Sequence, residues 1–181
     1  MKKILVKEQS VYTDEVKHVV IDRAELKRYI LGSAYIAQDR MDNCPLRPGY
    51  NNFKIEFSQA FTWLVDYVRQ HYHVEHGQPF LYAHEWYGTL LPPREQTIKR
   101  NHSKEENPAD YILLYGVDIE KNSCNLVIEY ESDDLKLPSQ IISFPLQDNH
   151  FHLFPASLDY YISTNTGNQI NCVLTWEGVL R

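Results

Sequence analysis

The sequence predicts a mainly β protein of the α+β class, a jelly roll with an N-terminal helical layer packed on one sheet. Two observations support this prediction: apolar residues follow helical spacing early in the chain, and they alternate with polar residues after Gly77. With 181 residues, the chain is long enough for one well-buried core. We therefore expect a single domain over residues 1–181, with a helical and loop layer over 1–79 and a jelly-roll barrel over 80–181.

Two helices are predicted in the first layer. Asp22 followed by Glu25 has the pattern of a capping box, and the helix that it begins is expected to run towards Gly32. Ser58 is the expected N-cap of a second helix. The apolar residues of that second helix follow helical spacing: Phe61, Leu64, Val65, Val68 and Tyr72. One apolar face of the second helix is therefore expected to pack on a sheet.

The rest of the chain has the alternation of β-strands, with turn residues such as those at 165–168 between the segments. The predicted strands are 81–86, 111–117, 125–130, 140–144, 150–154, 160–163 and 170–176. Short strands that follow a helical layer are typical of a jelly roll backed by helices. A β-sandwich of another topology has the same period and is the alternative.

Composition excludes several classes of function. The chain carries 18 Lys and Arg against 24 Asp and Glu, a net charge of −6, without a basic stripe, so we expect no nucleic-acid partner. No apolar run approaches the ~20 residues of a membrane helix, so we expect no membrane partner. The N-terminal apolar segment is too short for a signal peptide, which favours the cytoplasm. The scattered residues Cys44, Cys124 and Cys172 lack metal-site spacing and are expected to be buried thiols.

Residues 80–178 contain a characteristic order of segments. An aromatic strand at 85–88 precedes a buried strand at 111–115 and its hairpin partner at 125–128, and the corner Phe154–Leu158 follows. In this order the chain resembles the double-stranded β-helix of the Fe(II)/2-oxoglutarate oxygenases. Within that superfamily it is most similar to a prolyl-hydroxylase-like subgroup found in phages and marine bacteria. The resemblance implies a jelly-roll barrel and positions for a metal and a cosubstrate.

The residues at those positions differ from the family pattern. The resemblance aligns the first metal-binding His with His102, its carboxylate companion with Lys104, the second His with Tyr160, and the basic anchor of 2-oxoglutarate with Ile170. A lysine ammonium has no lone pair for a cation, and a neutral tyrosine is a poor ligand for Fe(II). From residue 137 to residue 180 there is no Lys or Arg. We therefore expect no metal and no cofactor, with His102, Lys104 and Tyr160 as vestigial positions.

A separate candidate metal site involves two further histidines. His150 and His152 lie two residues apart on a predicted strand, so both side chains lie on one face. With His102 or His84 they would form a site of three His ligands. Alternating apolar residues on the opposite face indicate the core, so we expect His150 and His152 to face solvent or the barrel mouth.

Two functions follow from the resemblance. The first is a non-catalytic, degenerate oxygenase-like jelly roll that acts as a binding or assembly module, with another protein or a second copy of the chain as its partner. A phage structural protein, located in the virion rather than the cytoplasm, is one form of this hypothesis.

The alternative is an active Fe(II)/2-oxoglutarate-dependent dioxygenase, a hydroxylase with an altered metal site. Its iron would be held by His102 and by one of Glu105, Glu106, His150 or His152, with Tyr160 completing or lining the metal site. The 2-oxoglutarate carboxylate would be bound by Arg94, Lys99 or Arg100.

Overall fold

A computed structural model describes residues 2–6, 9–17, 21–40, 52–55, 61–76, 81–104, 108–130 and 139–180. The helices are α1 (Arg23–Arg40) and α2 (Thr62–His76). The strands are β1 (Lys2–Val6), β2 (Gln9–Glu15), β3 (Asn52–Ile55), β4 (Leu81–Leu91), β5 (Tyr111–Asp118), β6 (Asn125–Tyr130), β7 (Gln140–Pro145), β8 (His150–Pro155), β9 (Asp159–Ile162) and β10 (Asn171–Leu180). Cys44, Ser58, Glu105 and Glu106 lie outside the described residues.

Helix α1 begins where the capping pattern predicts. The amide of Glu25 donates to the Asp22 carboxylate at 2.8 Å, and the amide of Leu26 donates to the Asp22 carbonyl at 3.0 Å. The helix does not end near Gly32 but continues to Arg40. A glycine in a helix costs only about 1 kcal/mol relative to alanine, which is too little to end a helix whose Leu26 and Ile30 are fully buried.

The Asp22 cap gives the first prediction. We expect Asp22→Ala to lower the free energy of unfolding by about 1 kcal/mol, because the amide of Glu25 loses its acceptor. Urea denaturation measures the change. Asp66→Ala, which removes an exposed carboxylate inside α2, is the matched control and should have a smaller effect. If the two variants lost the same free energy of unfolding, the capping role of Asp22 would be contradicted.

Three strands in the N-terminal layer were not predicted: β1, β2 and β3. Strand β2 shows why, because adjacent residues Val11 and Tyr12 are both buried, one against each face of the large sheet. A strand that is buried on both faces lacks the alternation that reveals a half-exposed strand. The pairing of β2 with β8, which joins Tyr12 to Leu153, is a tertiary contact that local pattern does not encode.

The strands form two antiparallel sheets, as the predicted jelly roll requires. The large sheet has the order β1-β2-β8-β5-β10-β4-β3 and the small sheet the order β7-β6-β9. One core lies between the helices and the large sheet, and the other lies between the sheets. Strand β10 contributes to both: Leu174 and Trp176 face the helices, whereas Val173 faces the small sheet. The fold class predicted from the sequence is confirmed.

The small sheet is extended past β9 by a single bridge. Arg100 pairs with Tyr160, with backbone hydrogen bonds of 2.9 Å from the Arg100 amide and 3.0 Å from the Tyr160 amide. A 3₁₀ turn, His102–Lys104, follows immediately. Side chains that lie opposite each other across an antiparallel bridge point to one face, so the bridge directs Arg100 to the same side as Tyr160. In the described part of the chain, neither helix has the length and apolarity needed to span a membrane.

Candidate functional site

Three side chains meet inside the barrel: His102, Tyr160 and Glu177. The Nε2 atom of His102 is hydrogen-bonded to the Tyr160 hydroxyl at 2.9 Å, and the two rings stack with centroids 5.7 Å apart. On the other side of the imidazole, Nδ1 lies 2.6 Å from Oε1 of Glu177. That close contact falls outside hydrogen-bond geometry. We call these three residues the buried triad.

The buried triad is enclosed by protein. Side-chain exposure is 1% for both His102 and Glu177, and Tyr160 is 5% exposed. The Phe154 ring packs edge-on against Tyr160 with centroids 5.0 Å apart, and the Tyr87 ring lies 6.2 Å from His102. Polar groups in a protein interior that excludes water interact strongly, because little water screens their charges.

Glu177 is not the only carboxylate on its face of the sheet. Its partner across β4 and β10 is Glu85, and side chains that lie opposite each other point to the same side. Glu85 is compensated by the Lys54 ammonium at 2.6 Å and by the Tyr87 hydroxyl, which donates at 2.5 Å. Glu177 lies beside His102 instead. The two carboxyl groups therefore have separate polar neighbours.

The sequence pattern did not identify Glu177. The predicted strand 170–176 stopped one residue before it, and the family pattern names no metal or cosubstrate position there. A signal was present, since Glu177 follows a run of strand residues that contribute to both cores. A charged residue that continues a two-sided buried strand must have a partner, and such residues concentrate at functional sites.

Of the three predicted vestigial positions, His102 and Tyr160 are in contact. Lys104 belongs to the same 3₁₀ turn as His102, although its side chain is outside the described residues. Ile170 precedes β10 and is 50% exposed. Its neighbour Asn171 is buried and its amide holds the adjacent loop, donating to Ser123 Oγ at 2.7 Å and accepting from the Glu120 amide at 2.8 Å. Neither Ile170 nor Asn171 offers a charge for a carboxylate.

The three basic residues named for the alternative do not meet at the buried triad. Arg94 and Lys99 line an outer groove of about 810 Å³, and Lys99 forms an ion pair with Glu129 there. Arg100 turns inward. With the Asn52 amide oriented to satisfy its neighbours, Oδ1 of Asn52 accepts from the Arg100 guanidinium at 2.6 and 3.1 Å. The barrel-facing cation is thus bound to a side-chain amide of the edge strand β3.

The prediction that His152 faces solvent or the barrel mouth is wrong. His152 is 3% exposed, and its ring lies 5.8 Å from that of Phe144 in the small sheet. Among the described residues, neither ring nitrogen of His152 has a hydrogen-bond partner. Burial lowers the pKa of His152 to about 4, and the charge of His150 adds a smaller effect. His150 is half-buried, and its Nδ1 is hydrogen-bonded to the Asp148 carbonyl at 2.7 Å.

No protein-family model matches the sequence, and no curated protein does. Solved structures do match. A prolyl-4-hydroxylase from Pseudomonas putida superposes with a TM-score of 0.56 at 10% identity, covering 96% of this chain and 94% of that one. The non-heme alpha ketoglutarate dependent carbocyclase SnoK from nogalamycin biosynthesis gives 0.60 at 8% identity, covering 95% and 80%.

A third match carries the family name. It is an oxidoreductase of the 2OG-Fe(II) oxygenase family from Burkholderia pseudomallei, with a TM-score of 0.53 at 7% identity. Coverage is 74% of this chain and 62% of that chain. The fold is the 2-oxoglutarate oxygenase fold. The alternative of a β-sandwich of another topology is therefore wrong.

The names of the matching structures imply an Fe(II) ion. A facial site needs two His and a carboxylate whose lone pairs converge on one point. Here Nε2 of His102 is directed at a phenol, and Glu177 contacts the opposite ring nitrogen. Within the described ranges, no three His, Cys, Asp or Glu side chains converge as a metal site would require. The residues of the buried triad do not fit a facial Fe(II) site.

Proposed function

We propose that this chain is a non-catalytic protein with the oxygenase fold, which acts as a binding or assembly module. The observation that carries the proposal is the 2.9 Å hydrogen bond between Nε2 of His102 and the hydroxyl of Tyr160. Both atoms occupy positions at which the resemblance places metal ligands. Because each satisfies the other in a dry interior, a metal ion would have to break a buried hydrogen bond before it gained a ligand.

Two further features support the loss of catalytic activity. Lys104 stands in the carboxylate position, and its ammonium repels a cation. The cosubstrate anchor is Ile170, and the inward-facing Arg100 is hydrogen-bonded to Asn52. The alternative, a dioxygenase with iron on His102 and 2-oxoglutarate on Arg100, would need both groups to leave their present partners.

The partner of the module belongs to the same proposal. A protein that keeps the barrel without its catalytic activity must act by binding. We therefore propose another protein, or a second copy of this chain, as the partner. A phage structural role and a place in the virion, as the resemblance suggested, would be one such use.

Anaerobic titration with Fe(II) and 2-oxoglutarate tests the loss of chemistry. We expect no visible charge-transfer band and no change in melting temperature, because neither ligand has its usual binding groups. The matched variant restores the three family residues together: Lys104→Asp, Tyr160→His and Ile170→Arg. It should gain the band of a bidentate 2-oxoglutarate complex.

The two arms of this experiment answer different questions. A band in the wild-type protein would overturn the non-catalytic proposal in favour of the alternative. A restored variant that folds but stays colourless would show that the register of the three positions is wrong. Light scattering on the wild-type protein, over a range of concentrations, measures self-association separately.

A further inference from the structure

The small sheet ends at β7, which among the described strands pairs with β6 alone. The opposite end of this sheet is covered, because the bridge at Arg100 continues it past β9. The end strands of the large sheet, β1 and β3, carry the exposed lysines Lys3 and Lys54, and lysine on an edge strand opposes pairing with another chain. Strand β7 lacks this protection, since no residue from 137 to 147 is charged.

The free side of β7 presents the backbone groups of Ile141 and Ser143. In an antiparallel ladder, alternate residues direct both their amide and their carbonyl to the same neighbouring strand. The Asn125 amide donates to Ser163 Oγ at 2.9 Å and its carbonyl accepts from the Ser163 amide at 2.9 Å, on the β9 side of β6. The residues two and four positions after Asn125 follow the same alternation. Their partners in β7, Ser143 and Ile141, therefore direct both backbone groups away from the sheet.

We propose that β7 pairs with β7 of a second copy of this chain, antiparallel about a twofold axis, and so joins two three-stranded sheets edge to edge. This inference rests on the proposed function, because it names the partner of the binding module. The axis passes beside Ile142, so Ile141 of each copy lies opposite Ser143 of the other. Each of these two pairs exchanges two backbone hydrogen bonds, and the contact is closed because both copies use the same surface.

The side chains of β7 fit a second copy. Ile141 is 62% exposed and loses apolar surface to water in the unpaired strand. Ile142 is half-buried against the core between the sheets, and the pairing places the two copies of Ile142 side by side, which extends that core. Each chain has a net charge of −6, yet every pair of opposed residues is uncharged, so no like charges meet. A charged partner would find no complementary charge on β7.

Analytical ultracentrifugation of the full chain, without metal or 2-oxoglutarate, tests the pairing. We expect a monomer–dimer equilibrium. Ser143→Pro removes an outward amide, which an edge strand tolerates, and leaves the hydrogen bonds to β6 in place. It should raise the Kd of the dimer at least about tenfold, because the twofold axis removes two hydrogen bonds at once. Ser143→Ala is the matched control, which keeps the amide and should dimerise like the wild type. Circular dichroism verifies that both variants fold.

A cysteine at the axis tests the register. Opposed residues at a site without hydrogen bonds have Cα atoms about 4.5 Å apart, within the range of a disulfide. Mild oxidation of Ile142→Cys should therefore give a disulfide-linked dimer. The controls are Ile170→Cys, exposed outside β7, and the wild type, which reports on the native cysteines. If Ile142→Cys forms a linked dimer no faster than these controls, the proposed register is contradicted.

Three further results would overturn the pairing. One is a wild-type protein that stays monomeric at every concentration. Another is a folded Ser143→Pro that dimerises as tightly as the wild type. The third is assembly that grows beyond a dimer, since a twofold contact closes on itself. None of these results changes the outcome of the Fe(II) and 2-oxoglutarate titration, so the pairing and the loss of catalytic activity can fail separately.

Discussion

Gly116→Ala is expected to lower the free energy of unfolding by at least about 3 kcal/mol, the upper end of the usual cost of overpacking. Gly116 lies in β5 at the place where the turn before β8 approaches most closely. A Cβ atom there would lie 2.0 Å from the backbone oxygen of Gln147. The same turn is fixed to Gly116 by the Asn149 amide, which donates to the Gly116 carbonyl at 2.9 Å. A backbone held in this way cannot move aside as a flexible side chain would.

Urea denaturation followed by circular dichroism measures the loss. Gly32→Ala is the matched control, because Gly32 lies within α1 and a Cβ atom added there would meet nothing within 4 Å. We expect that variant to be more stable than wild type by about 0.5–1 kcal/mol, since alanine is the better helix former. If Gly116→Ala matched the wild-type stability, the close approach of the turn would be contradicted.

The second large effect is a loss of stability in weak acid. The pKa of His152 is about 4 in the folded protein, below its ordinary value of 6.5, because burial disfavours the charged ring. Between these values the unfolded chain binds a proton that the folded chain does not. The contribution of neutral His152 to the free energy of unfolding is therefore fully present above about pH 6.5. It is lost as the pH falls towards 4, for a total of about 3 kcal/mol.

His152→Leu should remove this part of the pH dependence. Leucine has no proton to bind, and it replaces a ring whose nitrogens have no hydrogen-bond partner among the described residues. The measurement is the free energy of unfolding at pH 8 and pH 4.5 for both proteins. His150→Leu, on the same strand but half-buried, is the control and should retain most of the dependence. If wild type and His152→Leu lost the same free energy of unfolding between pH 8 and pH 4.5, His152 would not be the group responsible.

Much of the fold could be predicted because its signals are local. These signals depend on neighbours within a few residues. They are the capping residues of α1 and the alternating or apolar runs of β5 and β10. Of the strands that were missed, β2 and β3 pair with distant partners, as Asn52 does with Thr89, whereas β1 pairs with its sequence neighbour β2. Propensity is a weak guide to such strands, because the sheet rather than the segment stabilises them.

The candidate site was predictable in part for a related reason. Aligning the chain with the oxygenase pattern brought His102 and Tyr160 to corresponding positions, and they are in contact. His152 was misplaced because we assumed that β8 has one solvated face. The helices cover one face of the large sheet and the small sheet covers the other, so β8 has no such face. Glu177 was missed because its role depends on this enclosure.

The bridge between Arg100 and Tyr160 limits how this protein can have evolved. It fixes the chain length between the bridge and His102, because only Asn101 separates Arg100 from the 3₁₀ turn that His102 begins. Point substitutions at His102, Lys104 or Tyr160 leave that spacing intact, whereas an insertion or deletion beside Arg100 would separate the residues. A lineage with this barrel can therefore exchange a metal ligand for a tyrosine in one step, and reverse the exchange in another, while its length at this point stays constant.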